Sequence, residues 1–163
     1  MSQSPYQAAI AGFIRSFGNL SVILDKAADE PNAEAFLTTR LAPDMHPLIN
    51  QIQLASDAAK GAAARLSGAT PPAMADVEKT YDELQARIAK TVEFLKSIDP
   101  AAFEGADERG VTMKLRSFET KFTASDYLFN FAIPNFYFHI TTAYGILRHS
   151  GLAIGKMDYL GKF

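Results

Sequence analysis

The chain has no cysteine and no tryptophan among its 163 residues. Without cysteine there is no disulfide, no thiolate metal ligand and no cysteine nucleophile. Positive charge is not in excess either: 16 Lys and Arg face 18 Asp and Glu, for a net charge of −2. That balance gives nothing to drive nucleic-acid binding and no polybasic patch for anionic lipid. Histidine is scarce, at three residues. The sequence also lacks a phosphate-binding glycine loop, a Gly-x-Ser-x-Gly elbow and paired carboxylates on apolar ground. Its start, MSQSPYQAAIAGF, has neither a basic leading region nor a clear apolar one, so we expect no signal peptide and a cytoplasmic location.

What is present describes a globular chain. It is 48% hydrophobic, 21% charged and 11% aromatic, enough to bury a core in one domain spanning residues 1–163. Ser4 to about Ala28 reads as a helix opened by Pro5, with Tyr6, Ile10, Phe13, Phe17, Leu20 and Leu24 on one stripe. A short helical piece is expected around 32–39. A second long helix covers about 46–67 and stops at Gly68, with Leu48, Ile52, Ala55, Ala59, Ala62 and Leu66 facing inward. After the linker GATPPAMAD, a third helix is expected over about 75–98, with Val77, Tyr81, Leu84, Ile88, Leu95 and Ile98 inward. VTMKLRSFETKFTA alternates with period two (Val111, Met113, Leu115, then Phe118, Thr120, Phe122) and predicts a short extended or hairpin element. Ser125 or Thr123 caps a fourth helix, about 125–150, ended by Gly151 and kinked or interrupted by Pro134. The tail LAIGKMDYLGKF reads as irregular. Four long amphipathic helices argue an all-α four-helix bundle, and the lengths of the linkers leave room for crossover connections.

Residues 127–147 carry no formal charge over a membrane-spanning length. They also contain Asn130, Pro134, Asn135, His139, Thr141 and Thr142, which are costly in hydrocarbon. A core helix is the expectation, and no membrane partner.

The histidines are the first candidates for chemistry. His139 and His149 are ten residues apart, which on one helix means about 80° in direction and about 15 Å along the axis. They cannot share one metal ion at bond lengths near 2 Å. His149, with Arg148, suits the C-terminal turn. His46 precedes Pro47 at a helix entrance, where a capping or surface role is natural. Asn135, His139, Thr142, Ile146 and His149 share a stripe on the fourth helix, and Asn50, Gln53, Asp57 and Lys60 share one on the second. If the stripes face each other, Asp57 and His139 form a hydrogen-bonded pair, an acid–base couple or two ligands of an open metal site, in a pocket lined by Gln53, Asn135, Thr142 and Tyr144. If they do not, the second-helix stripe is a solvated face and Asp57–Lys60 a weak surface pair. Asp82, Glu83 and Arg87 read as a charged outer face. Nine of the aromatics fall between Phe118 and Tyr144, marking a buried helix, an apolar pocket or a dimer face.

RLAPDMHPLINQIQLASDAAKGAAARLSG (40–68) and PNFYFHITTAYGILRHSGLAIGKMDYLG (134–161) resemble a largely bacterial family of unknown function within the DinB/YfiT-like superfamily of four-helix metalloenzymes. The resemblance implies a bundle with that superfamily's crossover topology, and often a homodimer. Superfamily members include thiol-dependent transferases and isomerases that hold a divalent metal, zinc or nickel, with three histidines. The fourth-helix histidine pair of that site becomes His139 and Ala143 here. The second-helix histidine has no counterpart, with Asp57 nearest by type. The resemblance therefore carries over His139 as a ligand, without the triad. The two functional expectations are a polar pocket between the second and fourth helices, holding a degenerate divalent-metal site or a small-molecule ligand, and a non-catalytic dimeric interaction or stress-response module using the aromatic last helix and the tail.

Overall fold

The structure, a computed structural model, describes residues 4–115 and 117–162. Helix α1 (Pro5–Ala28) opens on a reciprocal cap: Ser4 Oγ accepts from the Gln7 amide at 3.2 Å and Gln7 Oε1 accepts from the Ser4 amide at 2.9 Å. Its whole expected stripe is buried. By length and composition α1 could cross a membrane; here its apolar stripe packs inside the bundle. Helix α2 (Ala33–Leu37) turns the chain toward α3 (Leu48–Ser67), which ends at Gly68 with φ 80°, a left-handed cap that favours glycine.

Helix α4 (Tyr81–Ser97) starts six residues later than the apolar spacing predicts. Thr80 and Glu83 form a capping box, with Thr80 Oγ1 accepting from the Glu83 amide and Glu83 accepting from the Thr80 amide. This T-x-x-E signal is legible in the sequence and outranks the apolar spacing. Val77 therefore lies outside the helix and is 69% exposed rather than inward.

A 3-10 turn (Pro100–Phe103) and α5 (Ala106–Arg109) lead to an antiparallel hairpin, β1 (Val111–Leu115) and β2 (Phe118–Phe122), with Val111 opposite Phe122. Val111 and Met113 are buried, as the alternation predicts. The side chains of Leu115 and Phe118 and the whole of Arg116 lie outside the described residues. Thr123, not Ser125, caps α6 (Ala124–Tyr127). A π-helical turn (Leu128–Ala132) then joins it to α7 (Ile133–His149). Pro134 has no amide hydrogen to give the preceding turn, and the wide turn absorbs that missing bond without breaking the helix. The tail is not irregular throughout: α8 (Lys156–Leu160) packs on α1, where Asn19 donates to the Tyr159 carbonyl at 3.0 Å and Lys26 pairs with Asp158 at 2.5 Å.

The four long helices α1, α3, α4 and α7 pack in a ring. Both α1 and α3 lie against α4 and α7, so consecutive helices α1 and α3 are diagonal, as are α4 and α7. Cross-helix pairs give the directions. Gln51–His139 and Arg65–Tyr127 make α3 antiparallel to α7. Gln7–Pro100 and Ser21–Gln85 make α1 antiparallel to α4. Gln53–Arg87 and Ser56–Thr91 make α3 and α4 parallel. The bundle is therefore up-down-down-up with two diagonal connections, an all-α crossover fold. An aromatic cluster joins α1 to α7, where Phe136, fully buried, sits 4.2 Å from Phe13 and 5.2 Å from Phe17 between ring centroids.

Candidate functional site

His139 reaches the α3–α7 interface from the middle of α7, at 8% exposure. Its Nδ1 lies 2.8 Å from Gln51 Oε1. The Gln51 Nε2 donates to the His46 carbonyl at 3.0 Å. That second bond fixes the amide: its nitrogen must face the carbonyl, so its oxygen faces the imidazole. The oxygen can only accept, so Nδ1 carries the proton and Nε2 keeps its lone pair. Burial pushes the His139 pKa below 6.5, and the charge of the nearby His46 adds to the effect. The ring is thus neutral near pH 7, with one nitrogen available as a base or ligand. Among the described residues, Arg87 Nε is the buried side-chain nitrogen or oxygen without a partner. Among the described residues His139 Nε2 also has no hydrogen-bond partner, and it is not buried to that degree. Phe138, 55% exposed, packs edge-on against the imidazole with centroids 5.3 Å apart.

Asp57 does not meet His139. It stands six residues beyond Gln51, which turns it about 120° around α3 and moves it about 9 Å along the axis. Its Oδ1 lies instead 3.0 Å from Lys60 Nζ and 3.0 Å from Arg87 Nη2. Gln53, the other α3 residue assigned to the pocket, is buried on the same side, donating to Glu78 at 2.9 Å and accepting from Asn50 at 2.8 Å. The solvated-face reading of this stripe fails too. Gln53 is buried beneath Glu78 and Arg87, and Lys60 is buried as well.

On α7, Asn135 is half-buried and Thr142 buried beside His139's stripe. Tyr144 lines the other side, against Tyr159 of α8 (centroids 5.7 Å apart) and the α1 residues Asn19 and Leu20. Five residues place it about 140° from His139, so it is not part of that site. His149 is exposed in the last turn of α7, where a cation suits the helix dipole. His46 is exposed at the mouth of the His139 site.

Arg87 also lies elsewhere than its sequence context predicts. It is not on an outer face: its side chain is 1% exposed. It contacts Asp57 (3.0 Å), Asp76 (2.9 Å), Glu78 (3.0 Å) and the Ala75 carbonyl (3.2 Å). Burial alone would raise the Glu78 carboxyl. Hydrogen bonds from Gln53, its own backbone and Arg87 outweigh it and hold the group below the usual carboxylate value.

Sequence reasoning passed over Gln51 and put Arg87 on an outer face, and the same signal exposes both. Gln51 lies four residues before Ala55 on the α3 apolar stripe, and Arg87 lies between Leu84 and Thr91 on the α4 stripe. A polar residue at an apolar-stripe position is one that the core must satisfy.

The same four helices define a class. The structure of a DinB family member protein from Shewanella denitrificans superposes with a TM-score of 0.89, at 39% sequence identity, covering 97% of this chain and 92% of that one. The bundle is thus DinB-like. Within that class, residues 6–160 match the domain of unknown function DUF1993, and the chain belongs to that family. No curated protein matches it.

The metal centre implied by the superfamily does not fit these residues. Zinc and nickel centres of this kind take three protein ligands. Among the described residues no three His, Asp or Glu side chains converge. Asp57 is engaged by two cations, and His149 is far along the helix. Among the described histidines, His139 is the one whose ring is held by a hydrogen bond to a neighbouring side chain, as metal-bound histidines are.

Proposed function

We propose that the protein is a ligand-binding member of the DinB-like class whose working group is the neutral imidazole of His139, in a degenerate version of the superfamily's metal site. The observation that supports this reading is the two-bond relay from the His46 carbonyl through Gln51 to His139, which leaves Nε2 as a base. Such a group takes a proton or hydrogen bond from a small ligand bearing an O–H or N–H donor, or one coordination bond to a divalent ion. Phe138 gives that ligand an apolar wall. The test combines elemental analysis of purified protein with Zn²⁺ and Ni²⁺ titrations followed at the His139 imidazole signals. The expected result is weak binding that perturbs His139 and is lost in His139→Ala. A stoichiometric, tightly held ion that survives His139→Ala refutes the assignment.

A second reading rests on a different observation. Phe129, in the π-helical turn, and Phe138, on α7, are 52% and 55% exposed, and exposed aromatics of this kind serve contacts between chains. In that reading they form an interface between two copies of the chain.

A further inference from the structure

The parallel arrangement of α3 and α4 forces residues 69–80 to run back along the bundle. A helix of 20 residues is about 30 Å long, and twelve extended residues reach roughly 40 Å, so this segment can return with little slack. It crosses the face shared by α3 and α4, and the surface beneath it is polar. Gln53, Ser56, Arg87 and Thr91, all buried, contact it, and the buried Lys60 shares the Asp57 carboxylate with Arg87. Ser56 and Thr91 hydroxyls are 2.7 Å apart, with the Met74 sulfur 3.9–4.0 Å from both. Glu78 points inward to Arg87, Asp76 reaches the same guanidinium from the exposed rim, and Val77 between them points out. The segment is thus held by ion pairs and hydrogen bonds, with Met74 as its one large apolar contact.

Two consequences follow. Lifting this segment exposes groups that water solvates well, so the opening loses little hydrophobic stabilisation, the signature of a locally opening unit. Charge also changes sign. Closed, Lys60 and Arg87 face three carboxylates, Asp57, Asp76 and Glu78. Two of those leave with the segment, so the open groove holds two cations against one carboxylate. Arg87 Nε already lacks a partner. A cavity of about 340 Å³ lies between the segment and α4, lined by Met74, Val77, Ala86, Arg87 and Lys90.

We propose that residues 69–80 form a strap that lifts as a unit, and that the groove beneath binds a small oxyanion, a phosphate or a carboxylate, on Arg87 and Lys60 in place of Asp76 and Glu78. The guanidinium presents a planar fork that matches either group. The strap carboxylates act as built-in competitors for the site. This site is separate from His139 and does not depend on the reading of it.

Hydrogen exchange of the full chain tests the proposal, with chloride, inorganic phosphate and acetate compared at one ionic strength. Exchange at 69–80 is expected to rise several-fold more in phosphate or acetate than in chloride, with 48–67 and 81–97 unchanged. Phosphate and acetate separately show which oxyanion the groove takes. The double variant Asp76→Asn/Glu78→Gln alters the strap and leaves both cations in place. It is expected to exchange faster at 69–80 and to bind phosphate at least tenfold more tightly by calorimetry. Equal exchange in all three salts overturns the proposal, as does unchanged phosphate affinity in the double variant. Arg87→Met should abolish the phosphate effect; if that variant does not fold, the double variant decides alone.

Discussion

Replacing Gln51 by leucine isolates what the relay does. The change removes two hydrogen bonds, 2.8 Å to His139 and 3.0 Å to the His46 carbonyl. The carbonyl belongs to an exposed residue, where water restores its bond at almost no cost. The His139 Nδ1–H is buried and finds no substitute, and an orphaned buried donor costs roughly 1–3 kcal/mol. The extra apolar surface that leucine buries at this position returns roughly 1 kcal/mol. The net loss is at most about 2 kcal/mol, which for a chain of this size lowers Tm by up to roughly 8 °C. Calorimetry measures that shift, and ¹⁵N spectra of the imidazole report which nitrogen bears the proton. Gln51→Leu should lose the fixed Nδ1–H form. Gln51→Glu is the companion: its carboxylate faces the ring and favours the imidazolium, so the His139 pKa should move upward, opposite to its direction in the wild type. An unchanged Tm together with an unchanged ¹⁵N pattern in Gln51→Leu would refute the relay.

Because burial holds the folded His139 pKa below the 6.5 of the unfolded chain, the unfolded state takes up the proton first. Stability is fully present above about pH 6.5 and falls as pH drops through the interval down to the folded value, then levels off. The difference between wild type and His139→Gln in denaturant midpoints from pH 8 to 5 should show this slope, and equal pH profiles would contradict it. The interface reading predicts a dimer in sedimentation at high concentration that Phe138→Ser returns to monomer, and a wild type that stays monomeric removes it.

Much of the fold is legible in the sequence because its main determinants are local. The α1 stripe, the stop at Gly68 and the cap at Thr123 each depend on a few neighbouring residues. The start of α4 is local as well, but two local signals compete there. Apolar spacing extends back to Val77, while T-x-x-E fixes the first turn at Tyr81, and backbone hydrogen bonds outweigh one valine's burial. The candidate site is less legible because it depends on which helices are neighbours. The sequence places His139 and Asp57 on facing-type stripes, and α3 does lie against α7. What fails is the rotation of α3: its Gln51 edge meets α7, and its Gln53–Asp57 edge meets α4. Reading that rotation from sequence requires treating Gln51 and Arg87 as what they are, polar groups on apolar stripes.

The topology explains why those two polar groups exist. In a simple up-and-down bundle α3 and α4 would be antiparallel and joined by a tight turn, leaving no segment to cross their shared face. With α3 and α4 parallel, the return segment must cross it. The segment brings polar backbone and few large apolar side chains, so a wholly apolar face beneath would offer it little to bond to. Arg87 donates to the Ala75 carbonyl at 3.2 Å and binds Asp76 and Glu78 with the same guanidinium. A lysine carries one point of charge and no planar fork, so Arg87→Lys should loosen residues 69–80 even though the charge is kept. Buried ion clusters of this kind contribute little net stability relative to apolar packing. The arrangement is therefore better suited to holding a crossing in register, and to releasing it, than to strengthening the core.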